Sequence, residues 1–237
     1  EPSVLVLESG VLRLQPLRLA LDAGGIEVVG TAALESRDPV FDVRIASKGL
    51  RLVPESASAK PVQASGQVDW QGRWKDWRLS GAATLLRGNE QATLTFAGRG
   101  DDRHLALEKL LAATPTGKLE GTGELQWQPN LTLSLESRLD AFDPGYFLPD
   151  YPGALSGALT LAASQAPNGD WRGSGNLKDL RGRLRGRAVA GEANAQWDGH
   201  QGEGDLRLQL GASRIEAGGR FGSRLDLQAT FSPLDLA

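Results

Sequence analysis

The chain carries two histidines, His104 and His200, and no cysteine. Neither histidine sits in a His-x-x-x-His or His-Glu-x-x-His spacing, so a zinc site or a His-based triad has no partners to name. Without thiols there are no disulfides and no thiolate chemistry. Gly-Arg-Gly-Asp at 98–101 and Gly-Ser-Gly-Asn at 173–176 lack the lysine and the following helix of a phosphate loop. Arg99-Gly100-Asp101 and the sequon Asn130-Leu131-Thr132 are matches expected by chance. Carboxylates are dispersed over turns and polar positions, and none is marked out as half of a glycosidase pair. These residues name no catalytic centre, no cofactor and no metal site.

One row has electrostatic content: Arg181, Arg183, Arg185 and Arg187, separated by Gly182, Leu184 and Gly186. A strand would carry all four on one face, as a solvated surface or as a phosphate-contacting patch. With 26 Lys+Arg against 29 Asp+Glu, a net charge of -3 leaves nucleic acid outside the expected partners.

The elements are strands. Apolar residues recur with period two at Leu17, Leu19 and Leu21, then Ile26, Val28, Gly30, Ala32 and Leu34, then Phe41, Val43 and Ile45. The pattern returns at Ala92, Leu94 and Phe96, at Leu119 and Leu125, at Leu131, Leu133 and Leu135, and at Leu159. It closes with Leu206, Leu208 and Leu210, then Ile215, Ala217, Gly219 and Phe221, then Leu225, Leu227, Ala229 and Phe231. Successive side chains of a strand alternate between faces, so each run has one apolar and one polar face. Pro167-Asn168-Gly169-Asp170 reads as a type I′ hairpin, with Gly24-Gly25, Gly88-Asn89 and Asp198-Gly199 serving similarly. His104–Thr114 tolerates a helix but favours a strand. Three prolines interrupt the pattern between Phe142 and Gly153, where Asp143 can cap a short helical turn with Pro144 at its first position. The expected division is 1–141, a break at 142–153, and 154–237. No apolar run reaches the roughly 20 residues of a membrane helix. A chain opening Glu1-Pro2-Ser3 with no Met reads as an internal piece of a longer protein.

Residues Leu180–Gly191 (Leu-Arg-Gly-Arg-Leu-Arg-Gly-Arg-Ala-Val-Ala-Gly) resemble the Leu-x-Gly-x-Leu-Arg-Gly-x-x-Leu-x-Gly pattern of TamB proteins, in the AsmA-like group. The resemblance continues through Gly204–Leu208, Ser213–Gly219, Leu225–Leu227 and Pro233–Leu236, and covers roughly 118–237. It implies an all-β fold: a long, mostly antiparallel sheet bent into a U-shaped β-taco around an apolar groove. It also implies a periplasmic location, a parent held in the inner membrane, and coupling to the outer-membrane barrel TamA through parts absent here. The implied cargo is phospholipid, and the groove candidates are Val28, Phe41, Val43, Ile45, Leu94, Phe96, Leu119, Leu125, Leu131, Leu133, Leu135, Leu159, Leu206, Leu208, Leu210, Ile215, Phe221, Leu225, Leu227 and Phe231. Period-two faces also suit a closed sandwich, so alternation alone leaves an open groove and a closed core both available. Competing functions are strand addition to outer-membrane β-barrels and carbohydrate chemistry on a long sheet.

Overall fold

Alternation builds strands throughout. The computed structural model describes residues 4–21, 23–34, 37–52, 61–148, 150–222 and 226–233. Two compact units divide at Pro115/Thr116. The first holds β1 (Val4–Glu8), β2 (Val11–Ala20), β3 (Gly25–Ala33), β4 (Val40–Leu52), β5 (Val62–Arg73), β6 (Asp76–Arg87), β7 (Glu90–Gly100) and β8 (His104–Ala113). The second holds β9 (Lys118–Gln126), β10 (Thr132–Phe142), β11 (Gly153–Gln165), β12 (Trp171–Leu184), β13 (Arg187–Asp198), β14 (Gln201–Leu210), β15 (Ser213–Phe221) and β16 (Asp226–Ser232). Within each unit every strand pairs antiparallel with its sequence neighbour, giving a simple meander.

Turn chemistry explains the tight connections. Ser9-Gly10 and Arg185-Gly186 have positive φ at both positions (47° and 69°; 52° and 78°), the type I′ geometry that matches strand twist. The Pro167-Asn168-Gly169 connection is different from expectation. The Gly169 N–H donates to the Ala166 carbonyl and only Gly169 has positive φ, so Pro167 and Asn168 form a type I turn followed by a left-handed glycine. Proline, fixed near φ -65°, cannot take a type I′ position.

Bulges interrupt the alternation. Ala97 pairs with Lys109 while Gly98 pairs with Leu107, so Glu108 is an extra residue in β8. That insertion switches the apolar phase from Leu105 and Leu107 to Leu110 and Ala112, which is why the segment mimicked helical spacing. The expected strand is present.

The proline-rich excursion between β10 and β11 is a single 3-10 turn, Pro144–Tyr146, capped by Asp143. One oxygen of Asp143, Oδ1, accepts from Gly145 N at 2.8 Å and from Gly153 N at 2.9 Å, tying the start of the excursion to its end. Asp143→Ala removes a charged acceptor from two backbone donors, and the expected cost is about 2–3 kcal/mol. Urea unfolding of the variant, compared with wild type, measures it.

Candidate functional site: an open apolar face

Paired residues of antiparallel neighbours share a face, so the register sorts the side chains. In the first unit one row runs Leu17, Val28, Ile45, Val68, Gly81, Phe96 and Leu110 across seven strands. Val43 pairs with Gly30 and Trp70, Phe41 with Ala32 and Gly72, and Leu94 with Ala83 and Ala112, all on the same side. In the second unit Leu125, Leu133, Ala163, Gly173, Trp197, Gly202 and Phe221 form one row. The row beside it runs Gly123, Leu135, Leu161, Gly175, Ala195, Gly204, Gly219 and Leu227. Leu159 and Leu206 share the next, with Leu119 two rungs along β9. Beyond a bulge after Leu177, Leu208, Ile215 and Phe231 line up, and Leu210 pairs with Val189. Leu131 lies one residue before β10, and Leu225 falls outside the described residues.

The reverse face is polar. Glu124, Ser134, Ala162, Ser174, Gln196, Glu203, Arg220 and Asp226 form a rung-by-rung row. Cross-strand ion pairs decorate it, among them Arg18–Glu27 at 2.8 Å, Arg44–Asp69 at 2.6 Å and Arg207–Glu192 at 2.8 Å. The Asp69 carboxyl lies below its ordinary range through bonds from Gln67 and Arg44.

Within each unit, among the described residues, no second layer of strands packs over the apolar face. Among the described residues no large side chain is fully buried, and Leu133, Ile45 and Phe231 are 38%, 40% and 52% exposed.

Glycines and aromatics share this face, an arrangement period-two reading did not single out. Trp77 pairs with Gly72 and Gly100, Trp197 with Gly173 and Gly202, and Phe96 with Gly81. Phe41 packs on Trp70 at 4.3 Å and Trp70 on Trp77 at 6.0 Å. The Trp77 indole donates to the Asp101 carbonyl at 3.0 Å. The Asp101 side chain holds the β7–β8 turn by accepting from Arg103 N at 2.7 Å, His104 N at 3.0 Å and His104 Nδ1 at 2.9 Å. Burial pushes this carboxyl up, but those bonds outweigh it and hold it below the ordinary value near 3.8. A lowered aspartate contributes stability that is present above its unfolded value and lost as pH falls through its folded one. Wild type should therefore melt above Asp101→Asn at neutral pH, and the two melting curves should converge below about pH 3.8; thermal melts across that range check it.

The arginine row is broken. Arg181 and Arg183 lie on the polar face, Arg185 is at the apex of a turn, and Arg187 pairs with Leu184 on the other side. The Arg185-Gly186 turn reverses the chain between Leu184 and Arg187, so the row does not run along a single strand. His104 is the first residue of β8 and His200 lies in the turn between β13 and β14, and the described residues contain no group of His, Cys, Asp and Glu arranged to hold a metal.

Each unit is an antiparallel meander with one apolar face and one ion-paired face, which defines an all-β, single-sheet class of protein. The chain belongs to the TamB family: it matches the TamB N-terminal domain over residues 13–237, including the first half that the sequence motifs covered less densely. No solved structure matches it. Members of the family are anchored in the inner membrane, extend through the periplasm and work with TamA in outer-membrane assembly or lipid transport, as transport and assembly proteins. No helix among the described residues is long and apolar enough to cross a membrane.

Proposed function

We propose that the apolar faces form a periplasmic path for phospholipid between the inner and outer membranes, with acyl chains lying on the sheet and headgroups toward water. The observation that carries this reading is the half-exposed, rung-by-rung apolar face. Two acyl chains of about 16 carbons cost on the order of 25 kcal/mol to expose to water, at about 0.8 kcal/mol per CH₂. An apolar surface removes much of that cost at each position, and dispersion contacts carry no directional trap. Glycine and alanine on the same side leave room and let the sheet curl toward its cargo, as a β-taco would. Native mass spectrometry of the purified chain tests it: co-purified diacyl phospholipid supports the path, and a lipid-free chain that takes up none from vesicles overturns it.

A further inference from the structure

The proposed path leaves two features unused, the arginines and the proline-rich excursion, and they are neighbours. The excursion presents Phe147, Leu148 and Tyr151 at 46%, 59% and 49% exposure. It is fixed from beneath: Asp143 ties its two ends, Tyr146 is 2% exposed, and Phe147 stacks on Phe142 at 5.9 Å. The Arg185-Gly186 turn lies against it. Arg185 N donates to the Pro152 carbonyl at 2.7 Å, and Gly153 pairs with Leu184.

Arg181, Arg183, Arg185 and Arg187 are all exposed. Among the described residues, Arg181, Arg183 and Arg185 enter no ion pair, unlike the rung-paired arginines elsewhere on the sheet. Asp143, Asp150 and Asp179 stand against these four arginines, and Lys118 and Arg138 beside Arg181 are matched by Glu120 and Asp140, so the patch keeps a basic surplus of one. An apolar tip at this end of the sheet, with the unpaired guanidinium of Arg185 at the adjoining turn and those of Arg181 and Arg183 on the polar face behind it, matches a partner that is anionic at its surface and apolar just beneath. An acidic protein or a nucleic acid would use the arginines and leave the aliphatic tip wet.

We propose that this end of β10–β13 docks on an anionic lipid surface, with Phe147 and Leu148 entering the acyl boundary and the arginines meeting headgroup phosphates. The same end adjoins the apolar face through the row Phe142, Leu155, Gly182 and Val189. The docking stands on its own geometry, whether or not that face carries acyl chains.

Flotation of the full chain with phosphatidylglycerol-containing vesicles, against phosphatidylcholine vesicles, tests it. Wild type should float with the anionic vesicles and release as salt is raised. The triple variant Arg181→Gln, Arg183→Gln, Arg185→Gln should bind on the order of a hundredfold more weakly. Phe147→Ser with Leu148→Ser should lose flotation while keeping the wild-type circular dichroism; if that pair does not fold, the arginine variant decides. Gln196→Ala, a change on the polar face at the other end of β13 between Ser174 and Glu203, should float as wild type does. Absence of flotation, indifference to lipid charge, retention by the arginine variant, or loss with Gln196→Ala would each overturn the docking. So would capture of a soluble polyanion as tight as capture of vesicles.

Discussion

Leu208→Asp is expected to abolish capture of phospholipid while leaving the sheet folded. Leu208 stands on β14 between Gly191 and Ile215, in the row that reaches Phe231. Its side chain is half-buried, so the folded state forfeits only part of a leucine's burial, about 1 kcal/mol. An acyl chain crossing the same point meets a carboxylate where it had met a leucine. A charge in an apolar path costs about 3 kcal/mol, which converts to a drop on the order of a hundredfold in occupancy. Gln209→Asp is the control. It adds the same charge one residue along, on the polar face opposite Ala190 and Arg214, and should leave capture unchanged. Native mass spectrometry reads bound lipid for both, and circular dichroism reads the fold. Equal losses at 208 and 209 would mean that charge, not the apolar face, governs binding.

Which residues share a face was legible because the strand period is two and the strands are long. Leu133 and Leu135 could be placed beside Leu125 and Leu159 in kind, if not in register, from alternation alone. What alternation does not carry is phase across a bulge. An extra residue moves every later side chain to the other face, so Leu105 and Leu107 share a side with Leu110 only because Glu108 intervenes, while the four arginines scatter because a hairpin turn falls between Leu184 and Arg187. Asp143-Pro144 was readable as a capped turn because the signal is local: a carboxylate that accepts a backbone N–H, before a residue that donates none. Whether Leu133 ends up half-exposed or under a second layer is a long-range outcome, and no local pattern encodes it.

The glycines of the apolar face make the second large prediction. Gly100 pairs with Trp77 across β6 and β7, and a Cβ there would come 2.5 Å from both Cζ2 and Cη2 of the indole, with the His104 carbonyl oxygen also in the way. The ring cannot yield cheaply. It is buried, it donates to the Asp101 carbonyl at 3.0 Å, and it meets Trp70 edge-on at 85°. Gly100→Val should therefore expel Trp77, break that hydrogen bond and uncouple the Phe41–Trp70 pair, at a cost of about 3–4 kcal/mol. Gly175 lies on the equivalent face of the second unit, where the nearest heavy atom to a new Cβ is Leu161 Cδ1 at 3.8 Å. Gly175→Ala should accordingly stay within about 0.5 kcal/mol of wild type. Denaturant midpoints with tryptophan fluorescence separate the two. A mild Gly100→Val, or a Gly175→Ala as damaging as it, would mean that these glycines serve backbone conformation rather than hold aromatic rings flat against the sheet, and the low relief of the apolar face would need another cause.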